Sequence, residues 1–292
     1  MKIDLCVFLA GNHLNEYVPL FIETLARNCN ISLLNIHVVE KGWFRAPATD
    51  EERNEFIKDQ SPPWYIDLRM KYYMPGVGEN VHKYLLKKKE EFLVPFNIYE
   101  MHDASLFFKK STPREPFYCM AADHAETCDW AMANCGNEKW VILCHLDMIF
   151  RKDIVSRLAI EMNDFTGMYG IFNHCFAINR DAFFRVGVGF KDASGFKVFK
   201  STKNGYDFEM SHANDPFCPK DSWVMNGFDV GELLKVMMIE NGWRCLYRND
   251  NAELQAYVDH MCSGHGYVCE EVEASHRDRR SGWLSEYGVE KL

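Results

Sequence analysis

Residues 140–150, WVILCHLDMIF, decide how this chain is read. Five largely apolar residues, Trp140, Val141, Ile142, Leu143 and Cys144, read as a strand with both faces covered, because a half-buried strand would alternate apolar and polar side chains. His145, Leu146 and Asp147 follow directly, so polar groups stand at the strand's carboxyl end. In open α/β sheets, ligands sit in crevices outside the carboxyl ends of the strands. The first chemical site is therefore expected at His145 and Asp147.

Working outward, residues 118–134 carry Ala121, Ala122, Ala125, Cys128 and Met132 at helical spacing, a stripe of small and apolar residues that lets a helix approach a sheet, and Gly136 ends it. Residues 3–10, IDLCVFLA, read as a second fully buried strand. The helix after it is expected to be capped by Asn15, to hold Pro19 in its first turn and to bury Val18, Ile22, Leu25 and Ala26. Residues 31–39, ISLLNIHVV, form a further strand rich in β-branched residues that turns at Glu40, Lys41 and Gly42. Residues 43–117 break into prolines, aromatics and charge runs, and read as an inserted lobe of short helices and loops rather than another strand–helix unit. Downstream, residues 169–178 read as one strand, Asp181 opens a short helix, residues 228–241 form an amphipathic helix stopped by Gly242, and residues 243–247 return as a strand. Alternating strands and helices over 292 residues make this an α/β protein with one domain, 1–292, closed by residues 250–292.

Bulk properties narrow the function classes. With 47% hydrophobic and 14% aromatic residues, the chain has the apolar content to fold compactly. A net charge of −9 argues against a protein whose main task is gripping phosphate backbones. The basic runs, Lys87 to Lys89 and HRDRR ending at Arg280, read first as solvated faces. Eleven cysteines, an odd number scattered through apolar segments, suggest free thiols in a reducing compartment. The amino-terminal apolar run is short and lacks a cleavage pattern, and no later run approaches the roughly 20 residues that cross a bilayer, so a cytoplasmic protein with no transmembrane segment is expected.

The order of these segments resembles the GT-A glycosyltransferases, in particular glycosyltransferase family 2. The opening IDLCVFLAGNHLNEY resembles the family's first strand and donor-binding loop, and HAETCDWAMANCGNEKWVILCHLDMIF resembles the helix and strand leading into its DxD motif. In this chain the motif stands as His145-Leu146-Asp147, with histidine in place of the first carboxylate. The resemblance implies a doubly wound, Rossmann-like mixed sheet and a hexosyltransferase activity. A sugar would move from a nucleoside-diphosphate sugar to an acceptor hydroxyl with a divalent cation, Mn2+ or Mg2+, and inversion at the anomeric carbon.

It implies roles as well. Ala10, Asn12, Glu40, His145 and Asp147 would bind the donor, with Glu40 on base or ribose. Asn173 and His174, in NHCFAINRDAFFRVGVGF, would lie on the acceptor side. Asp229, in MNGFDVGELLKVMMIENGW, would be the catalytic base, although Phe228 stands where the family has a second acidic residue. His260 and His265, in YVDHMCSGHGY, would reach back to the metal, joining Asp147 and His145. The spacing of those two histidines with Cys262 and Cys269 also allows structural zinc, but fits no standard finger.

Each residue has a plainer reading. Asp147 and Asp229 suit helix caps, Glu40 a turn, His145 a half-buried histidine bonded to carbonyls, and Trp64, Tyr65, Tyr72 and Tyr73 the core of the lobe. Two other functions stay open: a noncatalytic nucleotide-sugar-binding relative, and a nucleotidyltransferase, which would need a Gly-rich basic loop that GNHLNEY lacks. The acceptor, whether glycan, small molecule, protein or modified nucleic acid, is not specified by these residues.

Overall fold

The computed structural model describes residues 1–9, 13–41, 77–101, 116–171, 174–190, 231–248, 252–260 and 270–292. Strand β1 (Ile3–Leu9) is buried at every position, as its unbroken apolar sequence requires. Helix α1 (Leu14–Asn28) follows, then a 3-10 turn (Ile31–Leu33) and β2 (Leu34–Lys41). Helix α2 (Val77–Glu91), β3 (Phe96–Met101), α3 (Pro116–Asn134), β4 (Trp140–His145) and the short β5 (Met148–Phe150) come next. The chain continues through α4 (Ile154–Glu161), the hairpin β6 (Thr166–Ile171) and β7 (Cys175–Asn179), α5 (Arg180–Val186), α6 (Glu232–Glu240), β8 (Arg244–Arg248), α7 (Ala252–Gln255), β9 (Val258–His260) and α8 (Glu270–Tyr287).

Among the described residues, seven strands form one sheet in the order β3-β2-β1-β4-β7-β6-β8, and β5 pairs antiparallel with β9. Within the large sheet only the pairings of β7, with β4 and with β6, are antiparallel. The sheet is thus α/β and mixed, with β1 at the crossover between β2 and β4. Two apolar cores cover its faces. One joins α1, α2, α4 and α8 to the sheet through residues such as Phe21, Leu85, Leu158 and Trp283; the other joins α3, α5 and α6 through Cys128, Met132, Phe183 and Met238.

Several local expectations are corrected. Residues 77–101 are a helix and a strand of the central sheet, not short helices and loops. The signal was weak because β3 is an edge strand with the polar sequence FNIYEM, while α2 buries Val81 and Leu85 beneath a surface of lysines. Residues 31–33 belong to the 3-10 turn, and residues 169–178 are two antiparallel strands. The cap of α1 is His13, not Asn15, and Asn179 rather than Asp181 caps α5 by accepting from the Asp181 and Ala182 N–H groups. Arg280 is no solvated cation: it is 2% exposed, and its Nε donates to Glu16 Oε2 over 2.6 Å.

Pro19 lies in the interior of α1 rather than its first turn, five residues past Leu14, and deprives the Asn15 carbonyl of its helical partner. The Leu292 N–H supplies that bond from the far end of the sequence, at 3.0 Å. Lys291 adds an ion pair to Glu16 at 2.7 Å.

The amino-terminal edge of the sheet is held by a buried polar cluster. Asp4 accepts from His37 Nε2 (3.0 Å), Asn35 (3.2 Å), the Glu138 N–H (2.9 Å) and Arg180 Nη2 (3.0 Å). Arg180 also donates to the Met132 and Cys135 carbonyls, closing the end of α3. Gly136 has φ +67°, and a Cβ there would stand 2.2 Å from Asp4 Oδ2, so glycine is required on two counts. This cluster is structural and lies at the opposite end of the strands from the site.

Candidate active site at the carboxyl ends of the strands

Strands β1, β2 and β4 run parallel, and their register sets Phe8 beside His145 and Leu9 beside Glu40. Their polar termini therefore meet at one end of the sheet. The turn after β4 places Asp147 between β4 and β5, and β5 pairs with β9 so that Met148 stands opposite His260. His174 begins where the β6–β7 hairpin returns, and its carbonyl accepts the His145 N–H over 2.8 Å. Three connections remote in sequence thus deliver their side chains to one point.

The ring nitrogens offered by His145, His174 and His260 all lie within 4.8 Å of one another. Asp147 Oδ1 is 3.2 Å from His260 Nε2 and 3.9 Å from His145 Nδ1. The His174 and His260 rings are stacked with centroids 3.7 Å apart, a spacing at which two imidazolium ions would repel strongly. On the other side of His145, His124 from α3 brings its Nε2 to 3.2 Å from His145 Nε2, with the two rings edge to face. One nitrogen of His145 is thereby engaged by His124, and the other faces Asp147. Side-chain exposures of 15% for His145, 9% for Asp147 and 13% for His260 leave the cluster recessed.

Burial first, and the neighbouring Cys175 thiol second, push the Cys144 thiol well above its ordinary range, so it is a protonated core group rather than a thiolate ligand. Cys6, Cys29, Cys128, Cys135, Cys144, Cys175 and Cys245 are free, in keeping with the scattered pattern.

Glu40 is buried near the end of β2 and is bonded through Oε1 to His82 Nδ1 of α2, at 2.6 Å. At the β1–α1 junction His13 adopts φ 59°, ψ 32°, left-handed backbone in a residue other than glycine, and its carbonyl starts α1 by accepting from Glu16 and Tyr17 N–H. Backbone of this kind persists where the surroundings over-determine it.

Of the residues singled out from sequence, the fold brings together His145, Asp147, His174 and His260, and sets Glu40 at the end of β2, across β1 from β4. Ala10, Asn12, Asn173, Asp229 and His265 lie outside the described residues. His124 and His82 were missed. His124 lies one helical turn before Cys128, on the face that the small-residue stripe turns to the sheet, a signal that could have found it, and His82 sits in the segment taken for a lobe.

No family model matches the chain, and no curated protein does. The chain is similar to solved glycosyltransferases. One is the mannosyltransferase PcManGT from Pyrobaculum calidifontis, in complex with GDP-Man and Mn2+, at 11% identity over 66% of this chain and 48% of that one, with a TM-score of 0.38. Another is the galactosyltransferase LgtC, solved with donor and acceptor sugar analogues, at 8% identity over 61% and 58% of the two chains and a TM-score of 0.31. A third is mouse xyloside xylosyltransferase 1, at 12% identity over 59% and 51%, with a TM-score of 0.32. The match spans about half the length of those proteins. At such identities and TM-scores, a functional reading has to stand on the side chains of this chain.

Proposed function

We propose that this chain is a glycosyltransferase that moves a hexosyl group from a nucleoside-diphosphate sugar to an acceptor hydroxyl. The observation that carries this reading is the convergence of Asp147, His145, His174 and His260 at the carboxyl end of β4, next to the β1–α1 junction. A departing diphosphate needs compensating positive charge, and the crevice beside a parallel sheet's crossover is where a nucleotide is received.

In this reading Asp147, His145 and His260 face the diphosphate and a divalent cation, with His265 as a further candidate ligand. Two imidazoles and one carboxylate, with His265 as a third imidazole, suit such an ion, and manganese better than magnesium, since imidazole suits borderline metals. The ion would neutralise charge on the leaving diphosphate. Glu40, held by His82, lines the nucleoside side together with Ala10 and Asn12. Asn173 and His174 approach the acceptor. Asp229 removes the acceptor proton as the hydroxyl oxygen bonds to the anomeric carbon and the bond from that carbon to the diphosphate oxygen breaks, giving inversion.

Incubation with a panel of UDP-, GDP-, CDP- and dTDP-sugars and Mn2+, reading out nucleoside diphosphate, tests the proposal. Release with at least one donor is expected, falling by about 100-fold or more in Asp229→Asn, as for loss of a general base. Pyrophosphate as the product would make the chain a nucleotidyltransferase. Binding without turnover across donors and acceptors would make it a noncatalytic relative, the reading favoured by the histidine in place of the motif's first carboxylate and by Phe228 beside Asp229. Among the described residues, no helix is long and apolar enough to cross a membrane.

A further inference from the structure

We infer that His82 is the group that meets the nucleoside of the donor, and that Glu40 acts through it by fixing its tautomer. This rests on the reading of the strand ends as a sugar-nucleotide site, and it moves the nucleoside contact from Glu40 to His82.

The two side chains form an inner and an outer member. Glu40 Oε1 lies 2.6 Å from His82 Nδ1, and the carboxylate side chain is 2% exposed where the imidazole is 31% exposed. An ionised carboxylate only accepts hydrogen bonds, so His82 Nδ1 carries the proton that joins them, and in the neutral ring Nε2 keeps its lone pair. A buried carboxylate that holds Nδ1–H in this way sets both the tautomer and the orientation of an imidazole, which then turns Nε2 to a ligand. Among the described residues Glu40 is the one hydrogen-bonding partner of His82, and it takes Nδ1.

Position follows from topology. β3 runs parallel to β2, so α2, which connects them, returns along the sheet and starts from the end at which β2 stops. His82 lies in the second turn of that helix. Val81 and Leu85, both fully buried, seat α2 on the core, and Lys88 and Tyr84 bond Glu23 of α1 at 2.8 and 3.3 Å. The ring therefore stands on packed structure. β1 lies between β2 and β4, so the end of β2 is two strand spacings, about 10 Å, from the end of β4. A nucleotide whose diphosphate lies at Asp147 and that extends across β1 brings its nucleoside to His82.

Donor and acceptor chemistry sets what the ring takes. A lone pair on Nε2 calls for a hydrogen-bond donor, and a nucleoside offers two kinds, ribose hydroxyls and an N–H of the base. An ionised phosphate oxygen is itself an acceptor and does not pair with it.

The test uses the full chain with Mn2+ and UDP, GDP or CDP, read by isothermal titration and by 15N correlation spectra of the histidine rings, the His82 signals being identified by their loss in His82→Ala. Before ligand is added, His82 is expected to be protonated at Nδ1, and its Nε2 resonance to move when the nucleoside diphosphate binds. His82→Ala should weaken that ligand about tenfold, as for one lost hydrogen bond, and leave the binding of inorganic pyrophosphate unchanged. Glu40→Ala should release the tautomer toward Nε2–H and weaken the ligand by a similar factor. Glu40→Gln, whose amide oxygen still accepts from Nδ1–H, should restore most of the affinity. The 2′,3′-dideoxy analogue separates the two donors: insensitivity to His82→Ala assigns Nε2 to a ribose hydroxyl, and continued sensitivity assigns it to the base. Variants are first shown to be folded by circular dichroism, and His82→Gln replaces His82→Ala if that chain is not.

An Nε2 resonance that stays in place while the wild-type chain binds nucleotide overturns the inference, as does unchanged affinity in a folded His82 variant, or an equal loss of pyrophosphate binding. Each of these leaves the glycosyltransferase reading standing, whereas a wild-type chain that binds no nucleoside diphosphate overturns both.

Discussion

Asp4 is fully buried and carries four hydrogen bonds, and its charge state is the clearest stability determinant at the scale of single residues. Burial alone would raise its carboxyl, but the hydrogen bonds from His37, the Glu138 N–H and Asn35 win and hold it below the usual carboxylate range. Glu16 behaves alike: burial raises it, and Lys291 and Arg280 outweigh burial and lower it. A carboxyl depressed in the folded state stabilises above its unfolded pKa of about 4 and loses that contribution as the pH falls through the folded value. Urea unfolding is therefore expected to give a level stability from pH 7 to about pH 5 and a steady fall below about pH 4. Arg180→Met leaves the Asp4 charge short of its cationic partner and should cost about 3–5 kcal/mol at pH 7. A flat profile down to pH 3, or a neutral Arg180→Met, would contradict this account. His145 and Asp147 were legible in sequence because they directly follow the apolar run of residues 140–144, whereas His174 and His260 entered only through the family resemblance. Arg180 and Asp4 were not legible, since nothing local links residues so far apart along the chain.

At the scale of elements, the instructive case is α1, where an interior proline is repaired by a remote strand of backbone. Removing residues 291–292 deletes the Leu292 N–H to Asn15 bond and the Lys291 to Glu16 pair, and should cost about 1–2 kcal/mol, or a few degrees in melting temperature. An unchanged melting curve would show that water serves the Asn15 carbonyl equally well. Most buried elements were readable: β1, β4 and α3 follow from unbroken apolar runs and small-residue spacing. The edge was not. Among the described residues β3 has one strand neighbour, so its sequence is under weak apolar constraint, and α2 displays a lysine run to solvent while Lys88 folds against Glu23 at 2.8 Å. The same logic hid the hairpin of β6 and β7, because in the sequence only the polar pair Asn173 and His174 interrupts an apolar stretch.

For the whole molecule, the two apolar cores clamp a mixed sheet whose crossover at β1 brings polar strand ends together on one edge while Asp4 and Arg180 secure the other. The α/β class and the β4-end site followed from the order of segments, whereas the clustering of histidines from β4, β7 and β9 required the pairing of β5 with β9, which no local pattern encodes. What remains to be measured is ligand binding. Thermal unfolding of the wild-type chain with UDP, GDP, CDP and dTDP, each with and without Mn2+, compared with Asp147→Ala, tests the central claim most directly. A ligand at about 100 times its Kd adds about 2.7 kcal/mol of stability, a shift of several degrees. The account expects at least one nucleoside diphosphate to raise the melting temperature in a Mn2+-dependent way, and Asp147→Ala to abolish that shift; a shift that survives in Asp147→Ala would contradict it.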